Sequence, residues 1–132
     1  IHEGLKIELT AMFETNNKHI LFAAQPDELK DMQPDFSKLR QCPIFGYAVT
    51  TQGVSTDFVS RTLVPHVQQL EDHATGSSHA ALTPFWATQL GKNQLTGHQL
   101  SPRGGWFNCS LRDDQVTLNG SYQKLAEGVL HL

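Results

Sequence analysis

The sequence predicts an α+β fold in which a strongly curved sheet, or half-barrel, wraps around one buried central helix. Short stretches rich in β-branched and aromatic residues recur along the 132 residues, separated by turn residues. One longer, almost wholly apolar run lies among them, residues 80–90, and it is apolar on every face, as expected of a helix enclosed by a core. A chain of this length can bury such a core as a single domain, residues 1–132.

The first half of the chain contains strands and short helices. Residues 6–14 predict a strand that turns at Asn16 and Asn17 and returns over residues 19–24 as a hairpin. Pro26, followed by acidic residues, is typical of a helix start. The remaining predicted elements here are a second short helix capped by Asp35 and strands over residues 44–51 and 55–64.

The central helix is predicted between Thr75 and Gly91. Thr75 or Ser77 can cap its first turn, and Gly91 suits the left-handed position that ends a helix. Residues 66–71 lead into it, through a helical turn in one interpretation. The strands predicted after it are residues 95–100, 106–111, 115–118 and 122–132.

Composition excludes several classes of function. The net charge of −3 provides no basic field, so nucleic acid is not an expected partner. No apolar run approaches the roughly 20 residues of a membrane helix. Two cysteines are too few for a disulfide scaffold, and we expect a cytoplasmic protein. Because the chain begins at Ile1 and not at methionine, we expect a piece of something longer.

The start of the central helix carries the strongest candidates for chemistry. Gly76 allows close approach of a ligand, and the amides that follow it can hold an anion together with Ser77. Plain helix capping is the alternative interpretation of these residues. Asp72 can accept or orient a proton, or it can be a surface acid that complements the helix dipole.

Three other polar residues have two interpretations each. His79 is either a wall of the pocket or a satisfied core residue, and its spacing of six from His73 does not suit a metal site. Arg103, beside two glycines, suits either a loop that closes on an anion or a solvated turn. Arg61 is expected in a structural salt bridge or in contact with substrate.

These motifs resemble the PhzF-like family of phenazine biosynthesis. The resemblance rests on the helix-start motif and on flanking motifs in the same order: Glu71-Asp72-x-x-Thr75-Gly76-Ser77-x-His79, residues 57–61 with Pro65, residues 101–105 and residues 125–130. It covers residues 43–132 well and the first 42 residues loosely. The family shares the diaminopimelate-epimerase fold, in which two similar halves enclose the active site.

The resemblance implies the C-terminal lobe of such a protein, with the N-terminal lobe absent from this chain. It implies proton transfer of the isomerase or epimerase type, without a cofactor or metal, on a small carboxylate-bearing metabolite. Asp72 would be the catalytic residue, and Gly76, Ser77, His79 and Arg103 would bind substrate. The thiol pair of diaminopimelate epimerase itself is not expected, because neither Cys42 nor Cys109 lies at the turn before the helix.

The lobe alone would hold half of an active site and would be inactive without the other half. The expected partners are therefore the missing lobe, a second copy in a homodimer and the substrate. The competing hypothesis is a non-catalytic small-molecule-binding or interaction protein of the same fold. The substrate itself is left open by the sequence.

Overall fold

One mixed β-sheet organises the molecule. The computed structural model describes all of residues 1–132. The helices are α1 (His2–Leu5), α2 (Pro26–Asp31), α3 (Phe36–Leu39) and α4 (Gly76–Leu90). The strands are β1 (Leu9–Glu14), β2 (His19–Ala23), β3 (Tyr47–Gln52), β4 (Phe58–Val64), β5 (Leu70–Asp72), β6 (Gln94–Gln99), β7 (Gly105–Arg112) and β8 (Gln115–Asn119).

The strand order is β1-β2-β3-β4-β6-β7-β8, with β5 paired to β4 beside β6. The pairs β2–β3 and β4–β6 are parallel and the other pairs are antiparallel. β1 and β8 are free edges that do not pair with each other, so the sheet is open and not a closed barrel. The predicted α+β class is confirmed, in this coarser form.

Helices cover both faces of the sheet. One core cluster joins α1, α2 and α3 to the sheet and includes Leu5, Leu29, Leu39, Tyr47 and Leu63. The other lies under α4 and includes Ile20, Phe58, Leu82, Trp86 and Cys109. Because successive side chains of a strand point to opposite faces, β4 is buried on both sides, and this burial erases the alternating pattern in its sequence.

Helix α4 is buried on one face only, which corrects the prediction of a helix enclosed all round. Its buried residues recur at helical spacing: Ser78, His79, Leu82, Thr83, Trp86 and Ala87. Pro84, Thr88 and Gln89 are exposed. Small and weakly polar residues can be exposed to water at little cost in free energy. The side of α4 away from the sheet therefore needs no further layer of structure to cover it. Gly91 ends the helix with φ 66°, as predicted.

One other prediction was incomplete and another was wrong. Residues 65–69 form turns that lead to strand β5 at residues 70–72, which was not predicted, and residues 120–132 form neither helix nor strand. Leu125, Val129 and Leu130 of that last segment are more than three-quarters exposed. A strand needs a hydrogen-bonded neighbour, and this segment pairs with no strand of the sheet, not even with the free edge of β8. No helix combines the length and the hydropathy that would be needed to cross a bilayer.

Candidate active site at the start of helix α4

Strand β4 brings two other strand ends together beside the start of α4. Its residue Ser60 is opposite Gln99 at the end of β6, and its residue Thr62 is opposite Asp72 at the end of β5. Both partner residues therefore lie on one edge of β4, two positions apart. The Thr62 hydroxyl donates to Ser78 Oγ over 2.9 Å, which fastens α4 to this edge.

Asp72 is held by the loop that enters the helix. Its Oδ1 accepts from the His73 N–H over 2.9 Å, and its Oδ2 accepts from the Thr75 hydroxyl over 2.6 Å. The carboxylate is half-buried. Each oxygen has a second lone pair, so the fixed carboxylate can still accept a proton or a ligand hydrogen bond.

Thr75 occupies the N-cap position without capping the helix through its side chain. Because its hydroxyl donates to Asp72, it leaves the first helix amides free. The N–H groups of Gly76, Ser77 and Ser78 donate no hydrogen bond within the chain. The first turn of α4 thus keeps the donors and the positive dipole end that suit an anion.

Gln99 fixes the loop between β5 and α4, and the sequence analysis did not predict this role. Its side chain is 0% exposed. Its Oε1 accepts from the Thr75 N–H over 2.8 Å, while its Nε2 donates to the Asp72 carbonyl over 2.7 Å and to Thr75 Oγ1 over 3.0 Å. A glutamine at an inward position of a strand was the available signal, but its partners depend on the parallel pairing of β4 with β6.

Lys18 is the second residue that sequence reasoning missed. It lies in the turn between β1 and β2, where a solvated lysine is the usual expectation, yet only 4% of it is exposed. Its Nζ donates to Ser77 Oγ over 2.8 Å. Burial lowers the pKa of Lys18, and attraction to Asp72 opposes that shift. The Lys18 backbone is fixed by Thr15, whose N–H and hydroxyl both donate to the Lys18 carbonyl.

His79 lies inside the core and 0% of it is exposed. Its Nδ1 donates to the Thr75 carbonyl over 2.9 Å, and its ring stacks on Phe107 with centroids 3.9 Å apart. Burial lowers the pKa of the imidazole, so the ring is neutral at pH 7. The structure thus places this predicted substrate-binding residue behind the first turn, where it supports the helix.

Arg103 lies on an exposed turn next to the site. The turn joins β6 to β7 and is fixed to the loop before α4, because the Ser101 hydroxyl donates to the His73 carbonyl over 2.7 Å. A Cβ on Gly105 would come within 2.8 Å of Ala74 Cβ, so this close approach requires glycine. Arg103 itself is exposed and makes no hydrogen bond or ion pair within the chain.

Arg61 and Glu71 form the predicted structural salt bridge. Two bonds of 2.8 Å join them, one from Nε to Oε1 and one from Nη2 to Oε2. Arg61 Nη1 also donates to the Met32 carbonyl over 2.6 Å. The guanidinium therefore ties β4 and β5 to the end of α2. Four hydrogen bonds, to Glu71, Leu29 and Met32, engage its donors.

A mainly apolar cavity lies elsewhere. It has a volume of about 730 Å³ and is bordered by Phe13, Phe22, Phe85 and Gln89, near the last turns of α4. No titratable side chain lines it. The titratable groups Asp72 and Lys18 described above lie at the start of α4, outside this cavity.

A protein-family model described as "Phenazine biosynthesis-like protein" matches residues 2–124. The chain belongs to this family. The match includes the first 42 residues, where the sequence motifs gave only a loose resemblance. PhzF-like membership is thus a property of almost the whole chain.

The PhzF-like chain is similar to proteins about twice its length. It is 35% identical over 130 residues to an uncharacterized isomerase of Pseudomonas aeruginosa, a match that covers 98% of this chain and 50% of that protein. A PhzF family structure from Enterococcus faecalis superposes with a TM-score of 0.89 at 31% identity, covering 99% of this chain and 50% of that one. A putative PhzC/PhzF protein from Clostridium difficile gives a TM-score of 0.81 at 33% identity, covering 93% and 48%.

Proposed function

We propose that this chain carries half of the active site of a PhzF-like isomerase, which transfers a proton on a small carboxylate-bearing metabolite without a cofactor. The observation that carries the proposal is one juxtaposition. The fixed carboxylate of Asp72 lies beside the free amides of the first turn of α4, so a proton acceptor and an anion-binding turn share one end of the helix.

The two parts of the site have separate roles. The amides from Gly76 to Ser78 and the Ser77 hydroxyl hold the substrate carboxylate, and Arg103 adds charge from the neighbouring turn. Asp72 takes a proton from the substrate carbon, or returns one to it, and its two hydrogen bonds keep its geometry constant between these events. His79 supports the turn from behind through its bond to the Thr75 carbonyl.

The relatives support the isomerase type, since the similar Pseudomonas protein bears that name. The chain spans about half the length of the curated relatives it matches. We therefore propose that it is the C-terminal lobe of a two-lobed, diaminopimelate-epimerase-like molecule whose sheet curls around α4. The other lobe supplies the opposing catalytic group, and a second copy or that lobe covers the exposed apolar groups such as Phe13 and Leu125.

Deuterium exchange tests the reaction. The protein, with its complementary half present, is incubated in D₂O with a panel of small carboxylates, and NMR follows deuterium at the carbon beside the carboxylate. Asp72→Asn keeps the shape and removes the basic site, so the exchange rate should fall by about 10²–10⁴-fold. Asp114→Asn, in an exposed turn, is the matched control and should keep the wild-type rate.

The outcomes separate the two hypotheses. If carboxylates bind at α4 but no member of the panel exchanges a proton, the non-catalytic binding protein is favoured. If exchange occurs and survives in Asp72→Asn, the catalytic role of Asp72 is wrong.

A further inference from the structure

Lys18 is a buried ammonium whose bonding is incomplete. Only 4% of the residue is exposed, and Ser77 Oγ is its one hydrogen-bond partner within the chain. No carboxylate oxygen lies within 4.0 Å of Nζ. An ammonium has three N–H donors, so two of them have no partner in the protein.

Such an arrangement is costly in the free protein. A buried charge normally requires an opposite charge in contact with it. Asp72 attracts Lys18 from a distance, but the loop holds its carboxylate out of contact with Lys18 Nζ. The first turn of α4 adds further positive potential to the same place. Lys18 and the helix dipole together therefore contribute more positive potential to this site than Asp72 contributes negative potential.

The bond to Ser77 also fixes the direction of the hydroxyl. Because Ser77 Oγ accepts from Lys18, its own hydrogen points elsewhere. Ser77 is exposed, so that hydrogen is available to a ligand together with the free helix amides. The Lys18 ammonium, the Ser77 hydroxyl and the free helix amides thus all donate at this point, and the Asp72 carboxylate is the one acceptor beside them.

We propose that Lys18 determines the charge specificity of the site: with Ser77 and the first turn of α4, it selects a carboxylate anion over a neutral compound of the same shape. The proposal rests on the proposed function and assigns to it a residue outside the recognised motif. Lys18 is a positioning and specificity residue, since it acts through the Ser77 hydroxyl and through its charge.

The experiment uses acetate and acetamide, which have nearly the same shape and differ in charge. Each is titrated into the ¹⁵N-labelled chain, and the amide signals of Gly76, Ser77 and Ser78 report binding. Lys18→Met keeps the length of the side chain without its charge. It should weaken acetate binding by about ten- to a hundredfold, because hydrogen bonds to charged groups are the strong ones, and leave acetamide binding nearly unchanged.

Two further variants complete the design. Lys18→Arg keeps the charge and should restore part of the preference for acetate. Lys38→Met removes an exposed lysine that pairs with Glu3 and should behave as wild type. In the absence of anions Lys18→Met should raise the melting temperature, because it removes a buried and underpaired charge.

Three results would overturn the proposal. One is equal loss of acetate and acetamide together with a lower melting temperature, which would make Lys18 a structural tether. Another is an unchanged preference for acetate in Lys18→Met. The third is the failure of acetate to shift the helix amides of the wild-type chain. Absence of deuterium exchange would sink the isomerase function alone, since the acetate preference is measured without turnover.

Discussion

Glu71 and Asp72 are neighbours in β5, and the sheet sends their side chains to opposite faces. Glu71 lies on the side of α2 and meets Arg61 through two bonds of 2.8 Å. Asp72 lies on the side of α4, where the nearby cation, Lys18, bonds to Ser77 instead of to the carboxylate. Arg61 and Glu71 form a direct ion pair, whereas Lys18 and Asp72 do not contact each other. The comparison indicates that satisfied charges hold this fold together, and underpaired charges mark its site.

The largest effect is expected from breaking the complete pair. Arg61→Met leaves the mostly buried Glu71 carboxylate and the buried Met32 carbonyl without their donor. Breaking this ion pair should lower the free energy of unfolding by up to about 3–5 kcal/mol, the cost for a fully buried pair. Chemical denaturation measures it, with exposed Arg112→Met as the matched control.

A double variant tests how much of this loss comes from the unpaired Glu71 charge. Arg61→Met combined with Glu71→Met removes both charges and should be less destabilised than Arg61→Met alone. A double variant no more stable than Arg61→Met would mean that the lost bonds to the Leu29 and Met32 carbonyls, and not the unpaired Glu71 charge, account for the loss.

The body of α4 should respond differently from its first turn. Leu82 is 0% exposed and packs under the sheet. Leu82→Ala leaves a cavity and should cost about 2–5 kcal/mol of unfolding free energy, measured by thermal or chemical denaturation. Gln89→Ala on the exposed side of the same helix should cost little. Equal losses in the two variants would show that α4 is covered on both sides, as the all-round apolar pattern first suggested.

Local signals predicted much of the fold. The β1–β2 hairpin, the Asp35 cap and the end of α4 at Gly91 each depend on a few adjacent residues, and all are present. Strand β5 was not predictable in this way. It has only three residues, begins at Leu70 with φ 66°, and exists because β4 offers it an edge. The strand predicted over residues 122–132 is absent for the opposite reason, since no strand of the sheet pairs with that segment.

Some residues of the candidate site could likewise be predicted from local sequence signals, and others depend on how the sheet is assembled. Asp72, Gly76 and Ser77 are close in sequence, so one motif was enough to bring them to the same helix end. Lys18 and Gln99 reach that end through the hairpin turn and through the parallel pairing of β4 with β6. No spacing in the sequence encodes either approach. A motif therefore located the turn proposed to bind an anion, but not Lys18 and Gln99, which contact it.

Ser77→Ala is expected to have the smallest effect, and it tests the underpaired side of the comparison directly. It removes one donor to the ligand, so it should weaken binding by about 0.5–1.5 kcal/mol for a neutral ligand and by up to about 3 kcal/mol for an anion. The same substitution also has an expected effect on stability.

From the position of Ser77 at a helix start alone, no loss of stability would be expected. The structure changes that expectation, because Ser77→Ala also removes the one hydrogen-bond partner of Lys18. A buried ammonium without any partner should cost the free protein a measurable fraction of its unfolding free energy, on the order of 1–3 kcal/mol. Lys18→Met in the same chain should restore that loss, since it removes the stranded charge. Denaturation of the two single variants and the double variant gives the coupling, and acetate titration gives the binding loss. If the two stability changes were simply additive, Lys18 would have found another partner on its own, and the contrast between the complete and the incomplete charge pair would lose its energetic basis.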